Sequence, residues 1–270
     1  MQDSIARSYL FVPGDRPERF DKACAAGAHA VIIDLEDAVP PSAKDAARDA
    51  VAQWLSPARP VLLRINGAGS DWFRQDLALC GKPGVAGVVL PKAERPEDIE
   101  CVAHAGAPAV LPLIETARGM WHVHAIAHAK RVQRLMFGSI DFQLDTGIDG
   151  DDLELLYCRS QLVLVSRVAG IQPPVDGVTT AINDPEVLRA DTQRARKLGF
   201  GGKLCIHPKQ VGEVNRHFLP GEQELAWAQR VLQAASEAKG AAVALDGKMV
   251  DLPVIRKAEE IMSEARRSGN

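Results

Sequence analysis

Cysteine is scarce in this sequence and poorly placed for cross-linking. The five residues, Cys24, Cys80, Cys101, Cys158 and Cys205, are odd in number, widely spaced and never arranged as C-x-x-C. That pattern argues against a disulfide framework and against a structural zinc site, and reduced thiols fit a cytoplasmic setting. An excess of one charge is also missing. With 32 basic and 35 acidic residues the formal charge is −3, and there is no basic stripe of the kind nucleic-acid binders carry. No apolar run approaches the ~18 residues that would cross a bilayer. The segment Met1–Ser8 carries both charge signs without a long apolar stretch, so no signal peptide is expected. There is no Walker loop, no G-x-G-x-x-G, no G-x-S-x-G and no H-E-x-x-H. Common nucleotide, acyl-enzyme and zinc-protease chemistries therefore lack their usual signatures.

What the sequence does contain is an alternation. Eight short apolar runs recur: Tyr9–Val12, Ala30–Leu35, Val61–Ile65, Gly87–Pro91, Ala109–Ile114, Arg134–Gly138, Pro174–Val178 and Lys203–Ile206. Most are apolar almost throughout, as strands buried on both faces of a parallel sheet are. Segments with helical periodicity lie between them: Arg16–Ala26, Ser42–Leu55 (with Ser42 as a good N-cap), Asp71–Leu79, Pro96–His104, Ala117–His128, Asp152–Gly170 and Pro185–Leu198. Eight β/α repeats over 270 residues predict an α/β fold, a (β/α)8 TIM barrel, with a doubly wound sheet as the alternative. The barrel is expected over residues 1–215. Residues 216–270 form a C-terminal helical extension, with helices over Gly221–Lys239 and Pro253–Arg267 around a turn at Asp246-Gly247.

Barrel chemistry sits where strands end and loops begin. Just past the apolar runs stand Asp34, Glu36 and Asp37, then Arg64 and Asn66, Lys92 and Glu94, Glu115, Asp141, and His207 and Lys209. Carboxylates outnumber cations in that set, and a divalent cation would relieve their repulsion. Glu115 and Asp141 close neighbouring strands, and two hard oxygen ligands with open positions suit Mg²⁺. The plainer reading is that each acid caps the helix after it. Arg64 has two open readings: a fork for a substrate carboxylate, or a structural ion pair with Glu36 or Asp37. The acids Asp34, Glu36 and Asp37 read equally as a charge cluster around a cation or as a solvated loop. Arg16 and Arg19, after Val12-Pro-Gly-Asp, either hold coenzyme phosphates at a helix N-terminus or are surface arginines on a βα turn. His124 and His128 have the i, i+4 spacing of zinc ligands, but solvated helix histidines are the simpler reading. Lys92 as a Schiff-base lysine is unnecessary beside a divalent site.

Taken in order, these motifs resemble one family. They are Arg7-Ser-Tyr-Leu-Phe-Val-Pro-Gly-Asp, Asp34-Leu-Glu-Asp-Ala-Val-Pro, Leu63-Arg-Ile-Asn, Leu90-Pro-Lys, Ile114-Glu-Thr-Ala-Arg-Gly, Gly138-Ser-Ile-Asp-Phe and Gly202-Lys-Leu-Cys-Ile-His-Pro-Lys-Gln. The set resembles the citrate lyase beta-subunit-like branch of the HpcH/HpaI aldolase family, with its malyl-, citramalyl- and citryl-CoA lyases. The resemblance implies a homotrimeric TIM barrel with Mg²⁺ on Glu115 and Asp141. It implies that Arg64 is catalytic, stabilising an enolate, and that Gly138, Ser139 and Arg16 join Arg64 and Glu115 in binding substrate. In Asp246-Gly-Lys-Met-Val-Asp-Leu-Pro, the family pattern makes Asp251 an acid/base reaching a neighbouring subunit's site. The implied substrate is a 3-hydroxy-3-carboxyacyl thioester, of CoA rather than acyl carrier protein, cleaved to a 2-oxo acid and an acetyl thioester. Alternatives are a class II aldolase acting on free 4-hydroxy-2-oxo acids, an esterase-like activity on malyl-type thioesters, and a non-catalytic subunit of a lyase complex. Where many relatives carry Glu-Asp, this chain has Ile140-Asp141, which favours a methyl-bearing substrate over one with a further carboxylate.

Overall fold

The computed structural model describes residues 5–237 and 243–268. Strands β1 (Ser8–Pro13), β2 (Ala30–Asp34), β3 (Val61–Arg64), β4 (Val85–Leu90), β5 (Val110–Ile114), β6 (Arg134–Phe137), β7 (Gln172–Asp176) and β8 (Gly202–Cys205) pair in sequence order and close on each other as a parallel barrel. All eight predicted strands are present, and the doubly wound alternative is excluded by the pairing of β8 with β1. Parallel neighbours need a crossover, and the intervening helices supply it. The lumen is filled by side chains from every strand: Tyr9, Ile32, Leu62, Val89, Leu111, Leu113, Met136, Val175 and Leu204. This is why the strands read as unbroken apolar runs, with one face on the lumen and the other under the helix layer.

Two helices match their predicted bounds, Pro96–His104 and Pro185–Leu198. Others differ in instructive ways. The expected helix Ala117–His128 is broken at His122 into Ala117–Trp121 and Val123–Ala127, and the His122 ring hydrogen-bonds the Glu94 carbonyl at 2.9 Å. Ser42 is not the N-cap of the second helix. It lies inside a 3-10 turn, Pro41–Ala43, that precedes helix Lys44–Trp54. Two helices escaped the periodicity: Ser139–Thr146, which is short, and Pro208–His217. At the N-terminal end of β6 the fully buried Arg134 has no carboxylate partner among the described residues. Its guanidinium donates to the Ala6, Pro173 and Pro174 carbonyls and the Tyr9 hydroxyl, which satisfies the buried charge with dipoles.

Contacts divide the chain into the barrel, Ile5–Asn215, and a second compact unit that begins at Arg216. In the second unit, helices Glu222–Glu237 and Leu252–Ser268 share a small core of Ala228, Val231, Val250, Ala258 and Ile261. Between the helices the turn Asp246-Gly247 closes an antiparallel hairpin of β9 (Val243–Leu245) and β10 (Lys248–Val250). Both turn residues have positive φ, 50° and 74°, as a tight hairpin of right-handed twist requires. No described helix is long and apolar enough to cross a membrane.

Candidate active site

Strand alternation decides which end residues look into the barrel mouth. Ile32 and Leu62 are lumen residues, so Asp34 and Arg64, two positions on, turn the same way. Leu113 does the same for Glu115. A cavity of about 440 Å³ opens there, lined by Asp34, Asp37, Arg64, Glu115, Ser139 and Asp141 on its polar side. Phe11, Leu113, Phe137, Ile140, Val178 and Ile206 make its apolar side. Asp176 has the opposite parity to the lumen residue Val175. It is fully buried and pairs with Arg159 at 3.1 Å, away from this wall.

Glu115 is 2 % exposed. One carboxylate oxygen accepts the Lys92 main-chain N–H at 2.7 Å. Burial, with the charges of Glu36 and Asp141 added, pushes its pKa up to about 8. The second oxygen lies against Gly138. A Cβ on residue 138 would sit 2.5 Å from Glu115 Oε2 and 2.6 Å from its Cβ. Glycine is therefore required there for Glu115 to occupy its position. We expect Gly138→Ala to displace the carboxylate and weaken divalent-cation binding at least about tenfold, ~1.4 kcal/mol, measured by titration calorimetry on folded protein. Unaltered affinity would show that the carboxylate has room to move.

Arg64 resolves its two readings in an unanticipated way. It forks onto Asp34 with two 2.7 Å hydrogen bonds, and only its remaining nitrogen faces Glu36 (3.0 Å) and Asp37 (3.5 Å). The principal partner is thus Asp34, directly beside it in the β2–β3 register. The guanidinium also lies 4.9 Å from the Phe11 ring centre. Burial works against its charge, but Asp34, Glu36 and Asp37 together hold its pKa above the ordinary value. Arg64 is therefore a rigid, permanently charged part of the cavity wall rather than a free side chain. Buried Lys44, which the sequence reading passed over, donates 2.7 Å hydrogen bonds to the Leu35 and Glu36 carbonyls and to Asn66 Oδ1, pinning the acidic loop. No local pattern links Lys44 to residues eight and twenty-two positions away.

The other expected residues distribute unevenly. Gly138, Ser139 and Asp141 line the cavity with Glu115. Ile140 does so too and is 48 % exposed, so its apolar surface faces the space a ligand would take. Arg16 is exposed and lines neither this cavity nor the adjoining one of about 800 Å³ that Lys92, Lys44 and Trp72 border. His128 turns one ring nitrogen to the His124 carbonyl at 2.7 Å. In the second unit Asp251 accepts a 3.4 Å hydrogen bond from the Val254 N–H, and its carbonyl accepts from Ile255, which is the capping geometry for helix Leu252–Ser268.

The donors suit a hard divalent cation. A buried carboxyl whose neighbours raise its pKa is relieved by such an ion. Among the described residues no cluster of three or more His, Cys, Asp or Glu offers a closed cage. Two carboxylates with positions left for water and substrate is the usual arrangement of Mg²⁺.

The HpcH/HpaI aldolase/citrate lyase family pattern matches residues 7–208. The chain belongs to this family. Among its relatives, a citrate lyase subunit beta-like protein of Deinococcus radiodurans is 39% identical, covering 96% of this chain and 97% of its own. A (3S)-malyl-CoA thioesterase of Cereibacter sphaeroides is 35% identical, over 96% of this chain and 94% of its own. Among solved structures, protein CitE from Mycobacterium tuberculosis, in complex with magnesium, acetoacetate and coenzyme A, superposes with a TM-score of 0.88 at 35% identity. It covers 97% of this chain and 99% of that one. HpcH/HpaI members include enzymes by name, and the barrel carries the family pattern from β1 to the start of helix Pro208–His217.

Proposed function

We propose that this chain is a Mg²⁺-dependent carbon–carbon lyase that cleaves a 3-hydroxy-3-carboxyacyl thioester, of CoA rather than of acyl carrier protein, into a 2-oxo acid and an acetyl thioester. The observation that carries the proposal is the composition of one cavity wall: Glu115 and Asp141 stand with Arg64 around a space that also has an apolar side. The magnesium- and CoA-bound relative of the same fold supports the choice of cofactor and thioester. Glu115 and Asp141 hold the Mg²⁺, and when bound it supplies Lewis-acid polarisation of the substrate hydroxyl and its adjoining carboxylate.

The protein's own groups do the remainder. Asp251 of a neighbouring copy takes the hydroxyl proton. The electron pair left on that oxygen forms the carbonyl of the 2-oxo acid as the C2–C3 bond breaks. The bonding pair passes into the thioester as an enolate, and Arg64, rigid and fully charged, stabilises the enolate oxygen. Return of the proton to carbon yields the acetyl thioester. Ile140 presents apolar surface to the cavity, which gives a further substrate carboxylate no partner there and favours a methyl-bearing, citramalyl-type acyl group.

The test is a screen of citramalyl-, citryl- and malyl-CoA with Mg²⁺, following pyruvate, oxaloacetate and glyoxylate. Pyruvate from citramalyl-CoA is the expected product. Absence of any 2-oxo acid would overturn the lyase reading. The Cereibacter relative favours a second reading, hydrolysis of the thioester. It would release free CoA thiol with no 2-oxo acid, and the same assay separates the two. Arg64→Lys keeps the charge but not the planar fork that Asp34 holds. Turnover is expected to fall at least about tenfold, ~1.4 kcal/mol of transition-state stabilisation. Unchanged kinetics would leave Arg64 a purely structural ion pair.

A further inference from the structure

Lys92 contacts both Glu115 and Glu36, and its backbone is unusual. Its φ is +47°, one of three positive-φ residues other than glycine among the described residues. A lysine pays a steric penalty in that left-handed region, and such residues persist where surrounding structure requires them. Two contacts issue from this one residue. Its main-chain N–H donates to Glu115 Oε1 at 2.7 Å. Its ammonium donates to Glu36 Oε1, also at 2.7 Å. The other Glu36 oxygen is 3.0 Å from Arg64 Nη1 and has no hydrogen bond of its own. Glu36 is 7 % exposed and close enough to Glu115 for their charges to repel. Without a partner cation it would be a further uncompensated carboxylate close to Glu115.

We propose that Lys92 is a positioning residue with two separable actions. The left-handed backbone aims the N–H at Glu115 Oε1, which fixes the carboxylate plane so that Oε2 lies on the Gly138 side, along the cavity wall. The ammonium ties Glu36 against Arg64, which keeps Glu36 out of the cation site and holds the Asp34–Arg64–Glu36 array in register. The first action serves cation binding and the second serves Arg64. The inference rests on the proposed Mg²⁺ site, but its first half can be read without any thioester being turned over.

Four substitutions separate the actions. Lys92→Gly and Lys92→Asn tolerate the left-handed backbone and retain the N–H while removing the ammonium. Lys92→Val opposes that backbone, and Lys92→Ala does so more mildly. In calorimetric Mg²⁺ titrations without substrate, the Gly and Asn variants should bind within about threefold of the parent. Val should bind at least tenfold more weakly and Ala three- to tenfold more weakly. If Val and Ala both match the parent, the main-chain role is overturned, and because Ala is the gentler change the comparison survives a Val variant that does not fold. At saturating Mg²⁺, Gly and Asn should lose at least tenfold in kcat, and Lys92→Arg should recover most of it. Parent-like kcat in Gly and Asn overturns the ammonium role. A parent enzyme that binds Mg²⁺ but cleaves no thioester would count against the proposed lyase reaction and leave the binding comparison intact.

Discussion

Glu115→Gln will abolish Mg²⁺-dependent turnover, and Asp141→Asn will do the same, with the barrel still folded. The expectation follows from the place of Glu115: 2 % exposed, aligned by the Lys92 N–H and confined by Gly138. Replacing one hard anionic oxygen by an amide removes a charge from the Glu115–Asp141 pair assigned to Mg²⁺. Stability should move the other way for Glu115. Burial and the neighbouring acids raise its carboxyl pKa to about 8, so near neutral pH without metal the charged form is disfavoured in the fold. A neutral amide removes that conflict. Glu115→Gln should therefore be at least as stable as the parent in thermal unfolding in EDTA, and the parent should gain more from added Mg²⁺ than the variant does. Activity of the parent that survives exhaustive chelation would remove the metal from the mechanism. Equal stabilisation of both proteins by Mg²⁺ would move the cation elsewhere.

The second large effect is expected at Asp251. Its carboxylate contacts the Val254 N–H at the head of helix Leu252–Ser268, so part of its work is capping. Loss of a cap costs about 1 kcal/mol of stability and leaves chemistry alone. Loss of a general base removes most turnover with little change in folding. Asp251→Asn separates these roles, since asparagine is itself a good cap. We expect near-parental thermal stability and a fall in kcat of at least about 10²-fold, in line with general-base contributions. Action across subunits has its own signature. Asp251→Asn and Glu115→Gln proteins, each inactive, should regain activity when dissociated and reassembled together, because some sites then combine an intact metal centre with an intact arm. Verified mixed oligomers that stay inactive would confine Asp251 to its own chain. Parental kcat in Asp251→Asn would leave it only a cap.

Much of this molecule could be read from the order of its residues. Strands enclosed on both faces must be apolar throughout, so eight runs such as Val110–Ile114 announced themselves without tertiary information. Glu115 was visible because it directly follows such a run, where an apolar pattern has no use for a charge; Asp141, expected at the end of the next strand, lies instead in the first turn of helix Ser139–Thr146, because β6 stops at Phe137. The Asp246-Gly247 turn was visible because its residue types are those a hairpin demands. Short helices were not. Ser139–Thr146 is only eight residues long, too short for periodicity to stand out, and the expected helix Ala117–His128 breaks at His122, whose ring meets the carbonyl of Glu94, twenty-eight positions away.

The sequence by itself determined the barrel, its strand ends and which ionisable residues stand there, because burial and a period of two act locally along each strand. Tertiary structure alone decided what those residues do to one another. Arg64 takes Asp34 as its fork partner because β2 and β3 are in that register. Lys44 reaches Glu36 and Asn66 across a folded loop. Lys92 reaches Glu36 with its ammonium and Glu115 with its backbone, across fifty-six and twenty-three positions. Such pairings depend on distances of about 3 Å between groups far apart in the chain, and charge–charge energies at that range are set by geometry and local dielectric, neither of which one strand carries in its own sequence.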